Sequence, residues 1–115
     1  TLQVYIDDSY GTKTCEYAAI RKHEHTHVHI ERSTLHKFKP RITHAVRKFF
    51  RKNPPLFVAY RQHLIRTRRN WEKSLQNVPE VMQLRKELRA AQEVRHQKID
   101  TKESYAAVRK RCGNW

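Results

Sequence analysis

A strongly basic segment in the middle of the chain constrains its fold more than any other feature. Residues 32–71 contain twelve Lys and Arg residues and neither Asp nor Glu, and the formal net charge of the 115 residues is +14. A folded surface that carries so much charge of one sign repels itself unless a polyanion neutralises it. The predicted binding residues are Arg32, Lys37, Lys39, Arg41, Arg47, Lys48, Arg51, Lys52, Arg61, Arg66, Arg68 and Arg69.

Nucleic acid is the polyanion that this segment favours. Each phosphate that Lys or Arg neutralises releases a condensed counterion, and this release drives binding. Solvated basic faces normally mix charges of both signs, and this segment does not. The sequence has no zinc-finger spacing, no glycine-rich RNA-recognition signature and no GXXG loop. We therefore expect contacts with phosphates rather than with base edges.

The composition favours one small, ordered domain with a thin core. Hydrophobic residues make up 37% of the chain, somewhat less than in an ordinary globular domain. No apolar run reaches roughly 18 residues, so no transmembrane segment is expected. Cys15 and Cys112 match no metal or redox spacing, and we expect two reduced thiols, with a disulfide as the alternative. The first residue, Thr1, is not Met, which would fit a removed targeting segment and favours the mitochondrial matrix.

The hydrophobic pattern predicts a mainly α fold with a short N-terminal β or irregular segment. Leu2, Val4 and Ile6 alternate with other residues, as in a strand. Residues 23–30, HEHTHVHI, alternate again, and in a strand their four histidines would share one face. We therefore predict an extended segment over residues 1–39 and a basic helical region over residues 40–115.

About four helices are predicted from Pro40 onwards. The first is expected to begin at Pro40, because proline suits the first turn of a helix. The first helix carries an apolar stripe of Ile42, Ala45, Val46, Phe49 and Phe50. The second is expected over about residues 56–75, and the third follows a break at residues 77–79. The fourth follows a capping box at residues 100–103 and ends near Gly113. The last two helices are expected to form an antiparallel pair.

The four alternating histidines are the candidate metal ligands that the sequence offers: His23, His25, His27 and His29. In a straight strand, neighbours on one face lie roughly 6.5–7 Å apart, so one tetrahedral ion cannot collect all four. We therefore expect a polar strand face, with no metal site and no other cofactor. We also expect no Gly-x-Ser-x-Gly nucleophile motif, no phosphate-cradling glycine loop and no His-Glu-x-x-His metal motif. The sequence predicts no catalytic residues and a protein that is not an enzyme.

Residues 59–66, with the sequence Ala-Tyr-Arg-Gln-His-Leu-Ile-Arg, resemble the opening motif of the LYR-motif proteins, a mitochondrial family. Residues 84–89 are similar to that family's second helix, so the resemblance covers roughly residues 57–112. It implies docking on an acyl carrier protein through Tyr60, Arg61 and Arg66. Ala59 replaces the first Leu of the family's motif, and the basic residues before residue 57 lie outside its pattern.

The combination of an ordered, basic, helical chain with no catalytic set resembles the mitochondrial ribosomal proteins as a class. This resemblance implies a structural component of a ribonucleoprotein, which binds rRNA phosphates through basic helix faces and packs on neighbouring ribosomal proteins. Three alternatives remain. They are a LYR-like adaptor or accessory subunit that binds an acyl carrier protein, a DNA-binding helical module, and an accessory subunit whose basic face meets anionic lipid.

Overall fold

The part of the chain that the structure describes is mainly helical. A computed structural model describes residues 2–53, 61–113 and 115. Four helices lie within these residues: α1 (Cys15–Lys52), α2 (Arg61–Gln76), α3 (Pro79–Gln97) and α4 (Lys102–Lys110). The predictions of a mainly α fold and of about four helices are confirmed. The predicted antiparallel arrangement of the last two helices stays a prediction.

Helix α1 begins 25 residues before the predicted first helix, at Cys15 rather than at Pro40. The Thr14 hydroxyl caps it by accepting a hydrogen bond from the Tyr17 backbone N–H at 3.2 Å. The predicted extended segment is therefore wrong from Cys15 onwards, and so is the predicted strand over residues 23–30. Buried or half-buried side chains recur there every three or four residues, as on one face of a helix: Ala19, His23, His27, Ile30 and Thr34.

The sequence predicted Pro40 in the first turn of a helix, but Pro40 lies inside α1. A proline there removes one backbone N–H donor from the helix. The predicted boundary between residues 39 and 40 consequently falls within a continuous helix. The structure instead groups the chain into two compact units. We call them the terminal unit (Thr1–Leu35 with Ala90–Trp115) and the central unit (His36–Arg89).

The central unit has a small apolar core that the predicted stripe supplies in part. Ala45 and Phe49 of α1 and Leu84 of α3 are buried. The Phe50 ring meets the Trp71 ring of α2 edge to face, with 5.6 Å between ring centroids. Arg41 and Lys48 of α1 form ion pairs with acidic residues of α3. The predicted apolar stripe is thus confirmed as the packing face of the second half of α1.

We expect Phe49→Ala to lower the free energy of unfolding by about 3–5 kcal/mol, because Phe49 is 7% exposed and its removal leaves a cavity. The matched control is Phe50→Ala, since the neighbouring Phe50 is 38% exposed and should cost less. Urea denaturation followed by circular dichroism measures both. Equal losses for the two variants would show that residue 49 does not belong to the core.

Helix α4 begins one residue later than the predicted capping box implied. Thr101, and not Asp100, is the N-cap, and its hydroxyl accepts a hydrogen bond from the Ser104 backbone N–H at 3.1 Å. The Asp100 side chain is therefore not used to cap the helix. At the other end, Gly113 adopts a φ of 83°, which glycine tolerates without strain.

A disulfide joins Cys15 to Cys112, and the expected pair of reduced thiols is wrong. The two Cα atoms lie 5.7 Å apart although the residues are separated by 97 positions in the sequence. Closing so long a loop removes conformational entropy from the unfolded chain, worth roughly 2–5 kcal/mol of stability. Within the terminal unit, the bond fixes the first residue of α1 to the turn that follows α4. Spacing along the sequence gave no sign of this contact.

Candidate metal centre

Helix α1 separates the four histidines into two pairs with different surroundings. His23 and His27 are four residues apart and therefore lie one above the other on the same face of the helix. Their side chains are 10% and 20% exposed, respectively. His25 and His29 are exposed. The helix thus brings two histidines together in a half-buried place, which a strand would not have done.

Asp100 completes a group of three donor atoms with these two histidines. Its Oδ1 lies 3.3 Å from Nε2 of His23 and 3.0 Å from Nε2 of His27. The two Nε2 atoms are themselves 3.2 Å apart. Asp100 stands in the turn between α3 and α4, where its backbone N–H donates to the His96 carbonyl at 2.9 Å. This turn and the cap at Thr101 hold the carboxylate against α1.

The three distances match those between ligands of a tetrahedral metal ion. Ligand atoms at roughly 2.0–2.1 Å from a tetrahedral zinc ion lie about 3.3 Å from one another. The observed separations of 3.0, 3.2 and 3.3 Å are close to that value. Two imidazoles and one carboxylate are also a ligand set that zinc accepts in catalytic sites. One ion could therefore bind all three atoms with little movement of the side chains.

Glu24 lies beside the two histidines and gives the cluster a second carboxylate. The ligand atoms of His23, Glu24 and His27 all lie within 4.8 Å of one another. Residues 23–27 therefore follow the spacing His-Glu-x-x-His on a helix. In that arrangement the two histidines bind zinc and the glutamate is the general base of a metalloprotease. The sequence carries this spacing, and the expectation that the motif is absent is wrong.

A chain of hydrogen bonds extends from His27 away from the three donor atoms. Nδ1 of His27 lies 2.6 Å from Nδ1 of His96, and Nε2 of His96 lies 2.7 Å from Oε1 of Glu31. The Gln92 side-chain amide donates to the other oxygen of Glu31. If His27 binds an ion through Nε2, its Nδ1 carries the proton and donates to His96, which in turn donates to Glu31. Such outer partners orient metal-binding histidines.

Tyr105 supports the carboxylate of Asp100 from helix α4. Its hydroxyl donates to Oδ1 of Asp100 at 3.1 Å, and its ring lies 5.1 Å from the His23 ring. Partial burial would raise the pKa of Asp100, but the hydrogen bond from Tyr105 and the neighbouring histidine rings outweigh it and lower the pKa. The same hydrogen bond raises the pKa of Tyr105 above its ordinary value. Asp100 is therefore ionised, as a metal ligand must be.

The predicted polyanion-binding residues are spread along α1 and α2, and all twelve are exposed. Arg32 belongs to the terminal unit and the other eleven to the central unit. Three of them form ion pairs: Arg41 with Glu87 at 2.6 Å, Lys48 with Glu80 at 3.2 Å, and Arg68 with Glu72 at 2.7 Å. Their predicted role in binding RNA stays a prediction.

The segment that resembles the LYR motif falls only partly within the described residues. Ala59 and Tyr60 lie outside them, whereas Arg61 and Arg66 are exposed on α2. The implied docking on an acyl carrier protein stays a prediction.

No protein-family model, curated protein or solved structure matches this chain. Within the described residues, no helix combines the length and the apolar character that a membrane span requires.

Proposed function

We propose that this protein is a metal-dependent hydrolase, with zinc as the preferred ion and a peptide bond as the preferred substrate. The observation that carries the proposal is the convergence of His23, His27 and Asp100, whose donor atoms lie 3.0–3.3 Å apart. Glu24 stands next to them on a helix with His-Glu-x-x-His spacing. Three protein ligands leave the fourth position of a tetrahedral ion to water, which is typical of catalytic zinc sites.

Glu24 is the general base in this proposal. It would accept a proton from the water that attacks the carbonyl carbon of the substrate, and a zinc ion held by the three ligands would lower the pKa of that water. The carbonyl oxygen would gain negative charge, and a zinc ion held by His23, His27 and Asp100 would supply positive charge that stabilises it. The C–N bond then breaks, and Glu24 passes its proton to the departing amine. The products are a carboxylic acid and an amine, so atoms and protons balance.

The partial exposure of the cluster suits a reaction with a substrate from solution. Asp100 is 36% exposed, whereas His23 is only 10% exposed. The ligand side chains are thus held by their surroundings, while solvent still reaches the carboxylate. The hydrogen bonds from Tyr105 to Asp100 and between His96 and His27 restrict their movement further. Three held ligands would leave one coordination position to water, which favours catalysis over simple storage of an ion.

The disulfide between Cys15 and Cys112 favours an oxidising compartment, since such bonds persist in secreted proteins and are rare in the cytosol. It does not favour the predicted mitochondrial matrix or a ribosomal role, and both stay predictions. The prediction of a non-enzymatic protein rested on the absence of catalytic motifs, with His-Glu-x-x-His counted among the absent ones. The presence of that spacing on helix α1 removes this premise and gives a physical ground for the opposite proposal.

The competing interpretation is a structural cluster without a metal ion, in which hydrogen bonds alone hold the same side chains together. Elemental analysis of the purified, oxidised chain after incubation with zinc and dialysis separates the two. We expect one zinc ion per chain, and hydrolysis of a fluorogenic peptide library that stops on addition of a chelator and returns with zinc. Failure to retain any divalent ion would overturn the proposal. Retention of zinc without hydrolysis of any peptide would leave a structural metal site and would contradict the enzymatic role.

A further inference from the structure

A row of basic residues on α1 lines a groove in the central unit. Lys39, Thr43, Arg47 and Arg51 are four residues apart in turn, so they rise along one face by about 6 Å per step. They border a groove of about 670 Å³. Its described lining consists of Lys39, Pro40, Thr43, His44, Arg47, Lys48 and Arg51. No carboxylate belongs to this lining, although acidic residues of α3 occur elsewhere in the same unit.

The cations of this groove are available to a ligand. Among the ion pairs of the described residues, Lys48 is the one groove residue involved, through Glu80 at 3.2 Å. Lys39, Arg47 and Arg51 take part in none of those pairs, and all three are exposed. Thr43 adds a hydroxyl that can donate to a phosphate oxygen. The groove therefore offers several positive charges and a neutral donor in a row.

We propose that this groove binds a strand of repeated phosphodiester groups, such as RNA, through its backbone. A row of cations fits a ligand whose charges repeat along its length better than a single small anion. Contacts of this kind fix the position of a strand without reading its sequence. The inference is independent of the metal centre, because every residue of the groove belongs to the central unit.

An anionic membrane fits this surface less well than a strand does. A helix that lies on a membrane inserts an apolar face beneath its cations. On the same stretch of α1, however, Ala45 and Phe49 are 3% and 7% exposed and belong to the core. They are not free to enter lipid unless the unit unfolds. A concave, cation-lined groove beside an apolar stripe whose central residues Ala45 and Phe49 are buried therefore favours a soluble polyanionic strand.

The test is a fluorescence anisotropy titration of a labelled, mixed-sequence 12-nucleotide RNA with the full, oxidised chain. We expect binding that weakens as salt rises, and a double variant Arg47→Gln/Arg51→Gln with at least tenfold lower affinity. Loss of two phosphate contacts should reduce the slope of log affinity against log salt by about 1.4. A conservative double variant, Arg47→Lys/Arg51→Lys, should retain most of the affinity, and circular dichroism confirms that each variant folds.

The matched control is Lys102→Gln/Lys110→Gln, which removes the same charge from exposed positions on α4 in the terminal unit. We expect this control to bind RNA almost as the unaltered chain does. Equal losses in the two double variants would show that net charge and not the groove binds the strand, and would overturn the proposal. Binding of anionic phospholipid vesicles through Arg47 and Arg51, without any binding of RNA, would overturn it as well.

Discussion

Replacing Glu24 with Gln should strongly reduce hydrolysis while leaving the metal in place. The amide keeps the size and polarity of the side chain but cannot accept a proton from water. General-base catalysis contributes about 10²–10⁴-fold to a rate, so kcat/KM should fall by about that factor. His23, His27 and Asp100 remain, and zinc content should stay at one ion per chain. Peptide hydrolysis and elemental analysis on the same preparation measure both quantities.

His25→Ala is the matched control for this variant. His25 lies one residue from Glu24 on α1, but it is exposed and outside the group of three donor atoms. Its loss should change neither zinc content nor kcat/KM appreciably. If Glu24→Gln retained full activity with full zinc content, Glu24 could not be the base. The assignment of the reaction to this site would then be wrong, even though the site binds metal.

Replacing Asp100 with Ala should release the metal. The carboxylate is the ligand that reaches the two histidines from a different part of the chain, at 3.0 and 3.3 Å from their Nε2 atoms. Changes in the outer partners of metal ligands cost about 10–100-fold in affinity, and loss of a ligand should cost more. We therefore expect zinc affinity to fall by at least about 100-fold in competition with a chromophoric chelator, and hydrolysis to fall with it.

Tyr105→Phe is the control that distinguishes the loss of the proposed ligand Asp100 from the loss of a hydrogen bond to that ligand. It removes the hydrogen bond to Oδ1 at 3.1 Å and leaves the carboxylate and the ring against His23. A moderate loss of affinity, within about 10–100-fold, is expected for such an outer partner. Helix content must match the unaltered chain in both variants. Unchanged zinc affinity in Asp100→Ala, alongside lost affinity in His23→Ala, would remove Asp100 from the ligand set.

Local patterns in the sequence determined part of this fold. The apolar stripe around Phe49 and the breaks near residues 77–79 and 100 predicted helices that the structure confirms. Such predictions succeed because the helical period appears in the pattern of residues close together in the sequence. The segment at residues 23–30 shows the limit of that approach. From His23 to His29 every second residue is a histidine, and this alternation is typical of a strand. The buried positions instead recur every three or four residues, as on one face of a helix. Because residues 23–30 were interpreted as a strand, the His-Glu-x-x-His spacing was not recognised.

The sequence by itself determined the charge of the chain, its mainly helical character and the spacing of the group His23, Glu24 and His27. Only the tertiary structure decided that Asp100, 77 residues from His23, meets that group. The same holds for His96 beside His27 and for Cys112 beside Cys15. The physical reason is that a helix fixes neighbours three and four residues apart through its own geometry. Contacts between distant residues depend instead on how whole helices pack, which no short pattern specifies.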